Sequence, residues 1–351
     1  MTLSAYELRE WDRLQERKAA ALSKRARTFL PPQARERLAS LGEKARSAPG
    51  ADKVAAAYGG AAKGLGKAVG GTASRTVSEK RVVGQYRRAG HGIAGLDEIR
   101  ELDLRVLDEV ARHNLVRYGH ALSAAATGLG SAAVVTGGEV LASAGTIAGA
   151  GAGAAPGIGT VAGAMVADTA MMLGLATRTV AATALYYGYH PNDPEEELFV
   201  MSVIALGMST GTSAKTAAYA ELSQLTQLLV RNAPWAKLNE KVLTKIAQTF
   251  AAKFSQQLPK RKLGQFVPIA GMAVGAGLSY MLIDRIAVSA RDAYRERLLI
   301  EKSDGDLTDG PNYGDADLAQ DDDAIGVMEL LREEDALPTP TPSDFEEQPD
   351  N

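Results

Sequence analysis

The sequence predicts an all-α protein, a multi-helix bundle with Gly/Ala-rich central helices and a disordered acidic C-terminal tail. Three observations carry that prediction. Apolar residues recur at helical spacing, as in Leu96, Ile99, Leu102, Val106, Leu107, Val110 and Leu115, with Asp, Glu and Arg filling the positions between. Residues 121–189 are packed with Gly and Ala and carry only three charges, Glu139, Asp168 and Arg178. From Ser303 onward the chain is acidic, with Asp321-Asp322-Asp323 and a Pro/Thr-rich end, and holds too little apolar surface to offset the entropy of ordering.

The elements follow in order. Residues 4–27 form a charged amphipathic helix with Tyr6, Trp11, Leu14, Ala21 and Leu22 available for an inner face, stopped by Pro31-Pro32. A short helix fits 33–47, and the Gly- and Lys-rich stretch 56–73 is a loose helix or flexible connector, since each interior Gly costs roughly 1 kcal/mol relative to Ala. An ordinary one-faced helix covers Leu96 to Leu115. Gly145, Gly149, Gly153 and Gly157 fall four apart, which lines small residues along one helix face and lets another backbone approach. Pro156 interrupts that line, so a turn is expected near 153–156, and a new helix carries Gly159, Gly163 and Ala167. Asp193-Pro194-Glu195-Glu196-Glu197 is a helix entrance: a capping residue, a first-turn proline and acids at the positive dipole end. Helices are then expected near 195–207, 213–231 and 236–257, and a last one from about Pro268 through the amphipathic run ending at Lys302. A helical turn or two is expected at 324–334. This divides the chain into a basic helical region with its connector (1–90), a helical domain (91–302) and the acidic tail (303–351).

The 351 residues, 46% of them hydrophobic, can bury a proper core. A net charge of -3 conceals opposite ends: residues 1–95 hold 19 Lys+Arg against 8 Asp+Glu, and 301–351 hold 2 against 17. No apolar run follows a short basic start, so a secretory signal peptide is not expected and a cytoplasmic origin is. The absence of Cys removes disulfides, thiolate metal sites and Cys nucleophiles together.

No set of residues commits the chain to a reaction. Gly207-Met208-Ser209-Thr210-Gly211 matches G-x-S-x-G after an apolar run, but His91, His113, His120 and His190 all precede Ser209, so the order a nucleophile elbow requires is missing. A small-residue helix end explains it better. Gly64-Leu65-Gly66-Lys67-Ala68 lacks the first Gly and the Ser/Thr of a phosphate loop, and Gly157-Ile158-Gly159 lacks the alternating βα units of a dinucleotide fold. There is no tight His/carboxylate cluster for a metal. The basic amino-terminal third alternates its charges with acids and shows no aromatic stacking pattern, which argues against nucleic acid. No cofactor, metal or catalytic residue is therefore expected. Asp168 and Arg178 stand out as polar groups inside an otherwise apolar segment, where charges need partners.

Two uncharged runs, 140–167 and 263–283, exceed the ~18–20 residues that flag a candidate membrane span. The first is mostly Ala and Gly and is broken by Pro156, and the mean hydropathy of the chain is −0.11. Residues 237–262 hold seven Lys+Arg against the single Glu240 and lead directly into 263–283, a pattern suited to a helix lying on an anionic leaflet.

The apolar helix containing Asp168, its continuation to Tyr187-Gly188-Tyr189 and Asp193-Pro194-Glu195-Glu196, and the small-residue segment Val267-Pro268-Ile269-Ala270-Gly271 with Gly275 and Ala276 resemble the EcsC family. The resemblance spans roughly 90–300, with Tyr6 to Trp11 similar to the family's opening. It implies a helical bacterial protein, sometimes encoded beside ABC-transporter subunits, which makes membrane transporter subunits candidate partners beside the lipid surface, and it brings no catalytic residues with it.

The expected function is non-enzymatic. A cytoplasmic protein, peripheral to or partly inserted in the inner membrane, docks on lipid through Lys237, Lys241, Lys245, Lys260, Arg261, Lys262 and Phe266. Gly145, Gly149, Gly153, Gly157, Gly159, Gly163, Gly271 and Gly275 are expected at helix-packing or cavity positions, and Asp168 and Arg178 as buried polar groups. The alternatives are a soluble protein holding a lipid-like ligand between small-residue helices, and a glycine-zipper pore-former.

Overall fold

The computed structural model describes residues 3–23, 78–112, 115, 158–231, 233–263, 271–303, 307 and 325–338, with the backbone alone at 158–170, 256, 258–263 and 271–280. Among these residues all regular structure is helical. In chain order the elements are α1 (Ala5–Ser23), α2 (Glu79–Arg88), a 3-10 turn (Asp97–Glu101), α3 (residues 104–112), α4 (Ile158–Tyr186), α5 (Pro194–Met208), α6 (Thr212–Val230), α7 (Glu240–Leu263), α8 (Gly271–Lys302) and α9 (Val327–Glu333).

The all-α bundle matches the sequence expectation, and its logic starts with α5. Every residue from Leu198 to Met208 is buried, so this helix has no solvent face and its neighbours surround it. The long α8 packs along α4 and α5, α6 along α5, and α1 lies across α6 and α8. Phe199, Phe250, Phe254, Tyr86, Tyr187 and Tyr294 are the largest side chains withdrawn entirely from solvent. The entrance to α5 forms as its residues dictate, with Asp193 at the N-cap position and Pro194 in the first turn, although the Asp193 side chain makes no capping hydrogen bond. Asn239 caps α7 through Oδ1, which accepts from the amides of Lys241 and Val242, so that helix starts at Glu240 rather than 236.

Two local expectations are corrected. The helix drawn from Leu96 to Leu115 is broken: a 3-10 turn ends at Glu101, Leu102 is extended, and α3 starts anew at residue 104. The break holds because the two amides after it are satisfied from elsewhere, Leu104 N–H by Glu7 at 3.1 Å and Arg105 N–H by Asp103 Oδ1 at 2.7 Å. On α1 the buried stripe is Glu7, Glu10, Leu14 and Lys18, at helical spacing, while Tyr6, Trp11, Ala21 and Leu22 are only half-buried. The face that reads as the polar side of an amphipathic helix is the one turned inward.

Candidate functional site

Two charged regions organise the molecule, one inside it and one on its surface. The inner one begins at the start of α1. Ser4 Oγ accepts from the Glu7 amide and Glu7 Oε2 accepts from the Ser4 amide at 2.8 Å, a reciprocal cap that fixes the Glu7 side chain. Its other oxygen takes Lys302 Nζ at 2.7 Å as well as the Leu104 amide, joining the first turn of α1, the last turn of α8 and the start of α3. Burial pushes the Glu7 carboxyl up, yet the bonds from Lys302, Ser4 and Leu104 outweigh it and hold the group below its ordinary value.

One turn further on, Arg295 donates through Nη2 to Glu10 Oε2 at 2.9 Å and to Asp108 Oδ2. Asp108 also accepts the hydroxyls of Tyr6 at 2.8 Å and Tyr187 at 2.9 Å. Lys18 meets Glu296 at 2.5 Å and Arg17 meets Asp292 at 3.0 Å, so successive turns of α1 and α8 are riveted together. On the far side of α8, Arg297 donates to Glu196 at 2.7 Å and Glu301 at 2.9 Å, while Tyr294 donates to Glu196 at 2.7 Å and Tyr189 to Glu301 at 3.0 Å. The Arg297 guanidinium lies over the Tyr189 ring at 4.2 Å and the Phe199 ring at 5.0 Å. Desolvation lowers both Arg295 and Arg297, but the surrounding acids and tyrosines raise them further still. Burial and the Asp108 hydrogen bond push Tyr6 up to about 12. Glu7 and Glu10 are thus held below their ordinary values and Arg295 and Arg297 above theirs, which favours the charged forms that join these elements.

The Tyr187-Gly188-Tyr189 turn makes the network possible. Gly188, at φ +84°, closes α4 with Tyr189 N–H bonded to Ala184 O and its own N–H to Leu185 O, a left-handed helix cap. A Cβ there would meet Arg100 Cγ at 2.7 Å. Tyr187 and Tyr189 are thereby sent to opposite parts of the network, one to Asp108 and the other to Glu301.

The surface region is the face of α7. Lys241 and Lys245 are exposed on it, and Lys237 precedes it. Segment 325–338 lies along this face with Ile325, Val327, Met328, Leu330, Leu331 and Ala336 buried underneath. Its acids reach out to the lysines, Asp335 to Lys237 at 2.7 Å, Glu334 to Lys245 at 2.7 Å and Glu329 to Lys253 at 3.3 Å. Glu221 on α6 accepts the Val327 amide at 3.1 Å, and Gly326 is pressed so close that a Cβ would meet Glu221 Oε1 at 2.5 Å. Burial pushes the Glu221 carboxyl up from 4.5 to about 7, raised further by Glu329 and opposed by the Val327 amide, Arg332 and Lys253.

Of the expected lipid-contact residues, the structure gathers Lys237, Lys241 and Lys245 on one side; Lys260, Arg261 and Lys262 are described by backbone only, in the last turn of α7, and Phe266 lies outside the described residues. Gly159 and Gly163 fall on α4 and Gly271 and Gly275 at the start of α8, whereas Gly145, Gly149, Gly153 and Gly157 lie outside the described residues. Asp168 and Arg178 share α4, ten residues or roughly 15 Å apart along the axis, and Asp168 is described by backbone only. Arg178 is half-buried and its Nε, withdrawn from solvent, has no hydrogen-bond partner among the described residues. Ser209 of the G-x-S-x-G run is buried at the end of α5, its hydroxyl donating to Ala205 O at 2.9 Å. Gly207 of the same run lets α8 approach, since a Cβ would meet Ile286 Cγ1 at 2.7 Å and Cα at 2.8 Å. Among the described residues no group of His, Asp and Glu could hold a metal ion, and no helix is long and apolar enough to cross a membrane.

Sequence reasoning missed Glu7, Glu10, Asp108, Arg295 and Arg297. The signal that could have found them is the Ser4-x-x-Glu7 capping pair together with arginines at 295 and 297 flanked by buried apolar residues.

Fold and network define a helical bundle locked by internal ion pairs between its amino-terminal and carboxy-terminal helices. The profile of the EcsC protein family matches residues 4–299, and the chain belongs to that family. It is also similar to the uncharacterized protein YdbA of Bacillus subtilis (strain 168), 26% identical over 140 residues. That match covers 39% of this chain and 48% of YdbA, so it spans about half the length of the relative. No solved structure matches.

Proposed function

We propose that this protein is a non-enzymatic, peripheral membrane-associated helical protein that docks on anionic inner-leaflet lipid through the basic face of α7. The observation that supports this most is the state of that face: its lysines already hold carboxylates borne on an amphipathic segment. A surface that binds apolar side chains beneath a layer of negative groups has the chemistry an anionic lipid interface presents. Each basic residue near such a surface is worth about 1 kcal/mol, and the stretch Lys237 to Lys262 carries seven. The reading is for surface docking, since among the described residues none of the helices qualifies as a span.

Flotation with vesicles of mixed phosphatidylglycerol and phosphatidylcholine tests it. Binding is expected at low salt, weakening as salt rises and absent on pure phosphatidylcholine. The combined variant Lys241→Glu, Lys260→Glu, Arg261→Glu and Lys262→Glu is expected to lose it. Failure of every form of the chain to float with anionic vesicles at low salt would overturn the reading.

A further inference from the structure

We infer that segment 325–338 is a releasable internal ligand of the α6–α7 face, an acidic strap that competes with the anionic surface for the same lysines. The inference rests on the lipid-docking reading and adds its regulation.

Four observations converge on it. The family match ends at residue 299, so the segment lies outside the matched region and is laid across helices within it. α9 has only seven residues, far below the ~12–15 at which an isolated helix becomes even marginal in water, so its helicity depends on docking. Its grip is divided by type: an apolar underside of Ile325, Val327, Met328, Leu330 and Leu331, and an acidic upper edge paired to three lysines. Those lysines belong to the stretch that is to meet lipid, so strap and membrane cannot occupy Lys237, Lys245 and Lys253 together. Because residues 304–324 tie the strap covalently to α8, a released strap rebinds as an intramolecular event, and an anionic surface has to outcompete it locally.

The test uses the full chain and two independent strap variants. Leu330→Asp/Leu331→Asp breaks the apolar underside and makes the strap more acidic, so any gain in lipid binding cannot come from reduced negative charge. Glu329→Lys/Glu334→Lys/Asp335→Lys changes only the upper edge, whose residues are not fully buried, and leaves the apolar contacts in place. Amide hydrogen exchange over 325–338 reports release, and flotation with phosphatidylglycerol/phosphatidylcholine vesicles reports docking. The expected result is fast exchange over 325–338 and about ten-fold tighter vesicle binding, the scale of three exposed ion pairs removed together. That gain should disappear when Lys241→Glu, Lys260→Glu, Arg261→Glu and Lys262→Glu are added. Fast exchange with vesicle binding no tighter than that of the unaltered chain would overturn the strap while leaving lipid docking intact. Slow exchange over 325–338 in both variants would also overturn it. Fast exchange with no vesicle binding by any form would overturn the lipid reading itself.

Discussion

The α1–α8 seam and the α7–α9 seam are both built from ion pairs between helices distant in sequence, and they differ in how much water reaches the charges. At the first, the side chains of Arg295 and Glu10 are 8% and 6% exposed, and on the opposite side of α8, against α5, those of Arg297 and Glu196 are as withdrawn, at 8% and 4%. At the second, Lys237 and Asp335 are 54% and 90% exposed. A buried pair is hard to undo because breaking it strands a charge out of water, whereas an exposed pair is exchanged for water and salt at little cost. One seam is therefore a permanent joint. The other is a latch whose strength lies in its apolar underside.

The largest effect expected from breaking that contrast is at Arg297. Arg297→Met leaves Glu196 buried with the Tyr294 hydroxyl as its remaining partner among the described residues, and should destabilise the protein by about 3–5 kcal/mol in urea denaturation followed by circular dichroism. Adding Glu196→Met should recover most of the loss, because the double variant strands no charge. A double variant as unstable as the single one would show that the pair acts through packing instead. Next in size is Gly207→Ala, which forces a Cβ against the Ile286 backbone where α5 and α8 touch, and should cost about 1–3 kcal/mol by the same measurement.

The latch should be sensitive to pH where the joint is not. Burial under the strap raises the Glu221 carboxyl to about 7, so the docked state binds the proton more tightly than the released one. The contribution of Glu221 to docking is then fully present below about 4.5, declines as pH rises from about 4.5 to about 7, and is constant above that. Intrinsic-rate-corrected amide exchange over 325–338 should show this loss of protection, and Glu221→Gln should abolish the pH dependence in that window. A pH profile unchanged by Glu221→Gln would remove Glu221 from the latch. The smallest effect is expected at Lys245→Ala, which should change global stability by less than about 1 kcal/mol while speeding exchange in 325–338 alone. A comparable loss throughout the bundle would erase the distinction between the seams.

Much of the fold was legible in the sequence, because apolar spacing, Pro194 and the small-residue segments place α4 to α8 within a few residues. The break before α3 was not legible, since it depends on the Glu7 carboxylate accepting a hydrogen bond from an amide 97 residues away. The inward face of α1 was misread for a related reason. Glu7, Glu10 and Lys18 look like a solvated stripe until Lys302, Arg295 and Glu296 are placed opposite them. Charge in a sequence reports sign and position along the helix, but partner and solvent exposure are set by tertiary contacts. The basic stretch 237–262 and the acidic tail were each recognised, but only the fold brings Asp335, Glu334 and Glu329 onto those lysines.

The buried joint also fixes an order of events during synthesis. Glu10 leaves the ribosome 285 positions before its partner Arg295. At a synthesis rate of about 5–20 residues per second, α1 spends roughly a quarter of a minute to a minute with its acids facing no cation from α8. The buried part of the joint between α1 and α8 therefore closes only after α8 has been made.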